Sequence, residues 1–341
     1  MKKIWIFMLK IAIAVLIVAY LIHVHYNSFI NGLQKFNPVW LPAAVSVLLF
    51  EMVFCAWRWF SLLKTAGLEI KWFEALSLTM RGYFCSLILF GGAIGGDVAK
   101  IGMLAHSRAR GERFEPGLSI LIDRIIGMVA LFLLAIIIAL ADFKTLLKID
   151  LGTFGISEKY NIFVIVLFIL ICIAGIAAAI IIFECRHIRK INFMNKIFDW
   201  GDRITHGLIN RMERAMELYK NKWKKLLFLT ISSIFFVHLI QLPVICCICY
   251  GLNMQIPSYL TLTAAIITGN IAGLIPLTPG GIGLRDFTIF IILQSGGFSN
   301  TTLIPLLMSL VLIIANMIAG LFFFDGGCRK KTAEKCGLKE V

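Results

Sequence analysis

Two short stretches carry the strongest chemical signals in the chain. Gly91-Gly92-Ala93-Ile94-Gly95-Gly96-Asp97-Val98-Ala99-Lys100 sets four glycines ahead of an acid and a base three residues apart. Pro276-Leu277-Thr278-Pro279-Gly280-Gly281-Ile282-Gly283-Leu284-Arg285-Asp286 has the same construction. Glycines let backbone N–H groups come close to a ligand, and a helix that starts beyond such a bend aims its positive end at an anion. The candidate binding residues are therefore Gly95, Gly96, Asp97 and Lys100 in the first stretch, and Thr278, Gly280, Gly281, Gly283, Arg285 and Asp286 in the second. Neither is a dinucleotide fingerprint, because that motif needs a strand before it and a helix after it.

More ionisable residues lie in apolar surroundings, where each costs at least about 2.5 kcal/mol on insertion scales. Glu51 follows Trp40 by eleven residues, roughly 16 Å along a helix, with Cys55 and Arg58 on its face. Ser77, Arg81 and Cys85 form a second stripe, and Ser119, Asp123, Gly127 and Ala130 a third, with Arg124 turned about 100° from it. His238 and Gln241 share a face further on. Such groups either handle a polar ligand or tie helices together by internal ion pairs and hydrogen bonds. The sequence contains no His-Glu-x-x-His, no Gly-x-Ser-x-Gly and no usefully spaced Cys/His pair, so no enzyme activity is expected. Cys246, Cys247 and Cys249 sit in an apolar run without His or carboxylate beside them and read as core packing, with no metal or cofactor implied.

The elements that must hold these residues are membrane helices. Of 341 residues 60% are hydrophobic and 15% charged, with a mean hydropathy of +0.90, too little polar surface for a water-facing globule. Windows at 4–23, 38–62, 73–90, 118–141, 161–183, 226–250 and 303–324 approach or exceed the roughly 20 residues that span a bilayer. Lys2 and Lys3 precede the first run and no small-residue cleavage site follows it, so it reads as a retained span. Glycines and prolines interrupt 258–295 in its middle, where no single helix could continue, and 73–106 is expected to form a hairpin that turns near Gly91–Gly96, its re-entrant part near 91–106. The expected architecture is an all-α polytopic bundle over 1–325 with two oppositely oriented re-entrant hairpins, followed by a basic tail over 326–341.

Eleven Lys and Arg residues between 184 and 225 mark that loop as cytoplasmic, while 251–257 and 296–302 have none and are expected outside. Both termini then face the cytoplasm, in the plasma membrane of a bacterium or archaeon. The net charge of +14 lies mostly in loops beside span ends, which points to anionic lipid headgroups as partners and away from nucleic acid. Ile209, Met212, Met216, Tyr219 and Trp223 recur at helical spacing among basic residues, an amphipathic helix expected to lie on the inner leaflet or, alternatively, on the protein's own cytoplasmic face. The nine cysteines avoid every expected external loop, so no disulfide framework is expected.

Gly95-Gly96-Asp97 with Lys100, Asp123-Arg124 at the head of a span, and the string from Pro276 to Asp286 together resemble the lysylphosphatidylglycerol synthase transmembrane family. The likeness runs roughly from residue 10 to 325. It implies movement of a lipid between leaflets, either an aminoacylated phosphatidylglycerol or a polyprenyl-phosphate sugar, with Arg81, Lys100, Arg124 and Arg285 meeting the headgroup. The chain lacks the soluble aminoacyl-transferase domain of some members, so synthase activity is not implied. Many members are encoded with glycosyltransferases, which makes an accessory scaffold for such an enzyme the alternative, and a homodimer is compatible with the sequence.

Overall fold

The computed structural model describes residues 23, 26–89, 93–106, 114–149, 160–183, 203, 216, 219, 222–275 and 283–324. Among these residues there is no strand. Five helices are long and apolar enough to cross a membrane: Trp40–Thr65, Gly117–Ala141, Asn161–Phe183, Trp223–Gly251 and Leu303–Phe324. The protein is a multi-pass all-α membrane protein.

In chain order the longer helices are α1 (Tyr26–Lys35), α2 (Trp40–Thr65), α3 (Trp72–Ile88), α4 (Ala93–His106), α5 (Phe114–Ala141), followed by a single turn at Phe143–Leu146, and α6 (Asn161–Phe183). Then come α7, which runs Trp223–Ser233, widens to a π-helical segment at Ile234–Leu239 and resumes as Gln241–Gly251, and α8 (Tyr259–Gly273), α9 (Leu284–Ser295) and α10 (Leu303–Ala319). Six of the expected spans thus appear as helices. The seventh, 4–23, lies outside the described residues except for His23, as do most of 184–225 and all of 326–341. The interrupted segment 258–295 is two helices, α8 and α9, and Thr278, Gly280 and Gly281 fall outside the described residues between them.

Helix α2 is the central post. Pro42 sits in its first turn, where a missing N–H is harmless, and the chain leaves it through Gly67 at a φ of +73°. Its stripe of Leu48, Met52, Ala56, Trp59 and Leu63 is buried. By contrast α6 is apolar all round and largely exposed, as a helix facing lipid should be. It docks on α5, with Gly175 leaving room for the Phe132 ring.

The bundle has two distinct ends. At one, Trp40 stacks near Tyr250 with ring centroids 5.4 Å apart, the Asn37 N–H donates to the Gly251 carbonyl at 2.7 Å, and the Tyr250 and Tyr259 hydroxyls are 3.3 Å apart. The chain after α9 returns there, with Gly296 against Thr261, and Gly32 of α1 lies beside Asn300 and Leu303. At the other end Leu63, Ala75, Leu104 and Ile120 form one cluster, and Leu62, Leu118, Tyr219 and Leu229 another. The α3–α4 hairpin opens at this second end and the α8–α9 hairpin at the first.

The packing corrects one sequence expectation and decides another. Gly95 and Gly96 are not in a bend but inside α4, and a Cβ on Gly96 would run into the Gly82 carbonyl and stand 3.0 Å from Ser86 Cβ. Gly96 is thus a packing residue that lets α4 lie against α3. Met216 and Tyr219, expected on the inner leaflet or alternatively on the protein's own face, are 4% and 2% exposed and pack on Leu62, Leu118 and Ile122, as the second reading has it. They cover the protein's own core, because residues as large as these gain more by filling a cleft between α2 and α5 than by lying among headgroups.

Candidate functional site

The end of α3 and the starts of α4 and α9 meet near the middle of α2. Leu87 at the end of α3, Ala93 at the start of α4 and Arg285 at the start of α9 line one cavity of about 190 Å³, together with Glu51, Tyr83 and Asn316. Helix ends from two separated stretches of the chain are therefore brought to one place, about half-way along α2.

Arg285 belongs to the first turn of α9, capped by Gly283 at a φ of +94°, a left-handed conformation that favours glycine. Asp286 is fully buried and accepts the Gly283 N–H at 3.1 Å, so it closes the helix end itself. One terminal nitrogen of Arg285 donates to Asp286 at 3.3 Å and to the Ser309 hydroxyl at 2.5 Å, and Ser309 donates in turn to Asp286 at 2.7 Å. Gly269 on α8 leaves the space that the Arg285 stem and Ile289 occupy. The guanidinium is thus held rigidly, 5% exposed, with its Nε buried and unpartnered. Glu51 also lines the cavity, and both its carboxylate oxygens accept from the Gln241 amide at 3.2 Å, while Gln241 accepts from Asn270 at 2.9 Å. No ion pair joins Glu51 to Arg285. Asn316 is 4% exposed and its Oδ1 has no partner.

The remaining candidates form other groups. Asp123 grips Arg58 through two bonds of 2.8 and 3.0 Å, and Arg58 also donates to Ser233 at 2.9 Å. Gly127 gives the guanidinium room, since a Cβ there would stand 3.4 Å from it, and the Gly127 carbonyl lies 3.0 Å from His238 Nε2. Asp97 takes Arg124 in the same two-pronged way at 2.5 and 2.7 Å, at a more exposed position. The Lys100 ammonium sits 3.5 Å above the buried Trp59 ring, whose Nε1 donates to Ser119 at 2.9 Å. Arg81 donates to the Phe322 carbonyl at 3.0 Å and lies over the Phe323 ring.

A family model for the lysylphosphatidylglycerol synthase TM region matches residues 7–320. The chain belongs to that family. No curated protein and no solved structure matches it. Within this family member the structure sorts the cations expected to meet a headgroup. Arg285 lines the cavity, whereas Arg81, Lys100 and Arg124 are not among its lining residues and are engaged elsewhere. Sequence reasoning missed Asn316, Tyr83 and Ser309. Ser309 and Asn316 stand seven residues apart on one face of an otherwise apolar span, the same signal that marked Glu51 and Arg58, so an amide and a hydroxyl in a span merit the attention given to charges.

Proposed function

We propose that the protein moves a lipid with an anionic headgroup from one leaflet to the other, as a flippase or scramblase, and catalyses no covalent step. The α3–α4 and α8–α9 hairpins act as re-entrant elements that approach the membrane middle from opposite faces. The headgroup passes between their tips while the tails stay in lipid. The observation that carries this reading is the cavity lined by the end of α3 and the starts of α4 and α9, with a rigidly held, buried Arg285 among its lining residues whose Nε is unpartnered. A guanidinium in hydrocarbon is costly, and a passing phosphate supplies the acceptor it lacks. Broken helices that meet at mid-bilayer around a polar site are the construction used by many secondary transporters.

The sidedness follows from charge. The end of the bundle that gathers Trp40, Tyr250 and Gly296 carries the loops 251–257 and 296–302, which have no Lys or Arg, and we place it outside. The end that gathers Leu63, Leu104 and Tyr219 adjoins the basic loops and faces the cytoplasm, in a bacterial or archaeal plasma membrane. The inward packing of Met216 and Tyr219 reduces the apolar surface that 184–225 could offer a glycosyltransferase, so the scaffold reading has less support. The test is reconstitution into vesicles with labelled phosphatidylglycerol or a labelled polyprenyl-phosphate sugar. Faster exchange of at least one of them than in protein-free vesicles is expected; no acceleration of either rejects translocation.

A further inference from the structure

Asp97, Asp123 and Asp286 each hold an arginine, respectively Arg124, Arg58 and Arg285. Glu51 does not. Among the described residues it forms no ion pair, and the partner of both its oxygens is the Gln241 amide, itself tied to Asn270. A carboxylate in hydrocarbon is costly without a counter-charge, the cost disappears when it takes up a proton, and acids of this kind mark proton paths in membrane transporters. Glu51 is half-buried and lines the cavity of about 190 Å³, a space for roughly six waters at about 30 Å³ each, so water can bring it a proton. The charged groups on the elements around it are already engaged. Arg58 is spent on Asp123 and Ser233, Arg285 on Asp286 and Ser309, and His238 Nε2 lies 3.0 Å from the Gly127 carbonyl. Tyr83 on α3 and Cys55 on α2 carry no charge in their ordinary state, and α8 and α10 contribute the amides Asn270 and Asn316. No cation of this group is left over to balance both Glu51 and a second anion.

We infer that Glu51 is a proton-binding site linked to the cargo: it takes one proton from water as an anionic headgroup enters the cavity and returns it to water as the headgroup leaves. This rests on the translocation reading and adds the ion that accompanies the lipid. Without the proton, the cavity would hold two negative charges in a medium of low dielectric, where their repulsion is strong. With it, the carboxyl group is neutral, still accepts from Gln241 through its carbonyl oxygen, and gains an O–H donor. A proton and a singly charged headgroup then cross together as a neutral pair. A pH gradient therefore biases the movement and a membrane voltage does not.

Proton counting separates this inference from the translocation reading. The purified full chain in weakly buffered detergent receives short-chain phosphatidylglycerol while an indicator dye records the protons taken up per lipid bound. The starting pH is varied from about 5 to about 9, the range over which ordinary and buried carboxyls titrate. Uptake by the wild type should pass through a maximum that approaches one proton per lipid, and Glu51→Gln should abolish it. By linkage, wild-type affinity should fall by up to about tenfold per pH unit as pH rises, and the affinity of Glu51→Gln should not vary with pH. Absence of uptake at every pH, whether or not the lipid binds, overturns the inference, as does equal uptake by Glu51→Gln. If Glu51→Gln does not fold, infrared difference spectra of the wild type decide: lipid binding should raise the carboxylic-acid C=O absorption, in Tyr83→Phe and Cys55→Ala as well, and an unchanged band overturns the site. Vesicles test the translocation reading on its own. Lipid exchange that ignores an imposed pH gradient rejects the coupling and keeps translocation, whereas proton uptake without exchange keeps the site and rejects transport.

Discussion

Replacing Asp123 by Asn isolates what the buried charges on α5 do. Asp123 and Arg58 have side chains 12% and 6% exposed and share two bonds of 2.8 and 3.0 Å. The amide keeps the shape but removes the charge, and one of the two Arg58 bonds then faces an NH2 group. The guanidinium keeps the remaining amide oxygen and Ser233 as acceptors but has no counter-charge in that pair. Breaking a buried pair from one side costs about 3–5 kcal/mol, a large share of the roughly 5–15 kcal/mol that holds a domain together. Asp123→Asn should therefore unfold at clearly lower temperature or denaturant in detergent, followed by tryptophan fluorescence. The double variant Arg58→Leu with Asp123→Leu should recover most of the loss, because a buried pair replaced by apolar side chains of similar size is often neutral. Wild-type stability in Asp123→Asn, or no recovery in the double variant, would refute the structural role assigned to the pair.

Three further outcomes follow from the same geometry. Asp97→Asn breaks a pair whose Arg124 side chain is 44% exposed, so its stability loss should stay within about 1 kcal/mol in the same unfolding assay. Gly96→Leu forces a side chain into the Gly82 carbonyl and the Ser86 side chain, and should destabilise the α3–α4 hairpin by about 1–3 kcal/mol, whereas Gly102→Leu, with open space around its Cβ, should not. Cysteines placed at the exposed Gln255 and Ser299 should react with an impermeant thiol reagent on intact cells, and one at the exposed Lys71 should not; those sites avoid Asn253 and Asn300, whose φ values of 52° and 50° tolerate substitution poorly. The reverse labelling pattern overturns the sidedness.

Much of this architecture is legible in the sequence because the bilayer imposes a length on every span and forbids Gly-Pro-rich breaks in an unbroken helix. The ends of α2, α3 and α6 lie within a few residues of the windows read from hydropathy, and the break between α8 and α9 falls among the expected glycines and prolines. Pairing is less legible, since it depends on which helices touch. Arg58 and Asp123 are 65 residues apart and Arg124 finds Asp97 across 27, so the sequence names the charges and not their partners. Gly95 and Gly96 mislead because a glycine that permits a bend and a glycine that permits close helix packing look alike in one chain. Helix α1, with its modest apolar content, is too short and polar to register as a span, and the π-helical segment at Ile234–Leu239 has no sequence signature at all. Met216 and Tyr219 show the same limit, since an amphipathic stripe tells that a surface is covered and not which one.

The most direct test of the central claim is lipid exchange in vesicles that contain equal amounts of wild type, Arg285→Lys and Arg285→Ala. Lysine keeps the charge but not the planar fork that bonds Ser309 and, on the proposed function, would also meet a phosphate, while alanine removes both. If headgroups pass the hairpin tips on Arg285, exchange should fall in the order wild type, Lys, Ala, with the Ala variant near the protein-free rate. Exchange by Arg285→Ala at the wild-type rate, or its recovery when Asp286→Ala is added, would contradict the claim, because no cation would remain there to meet the phosphate.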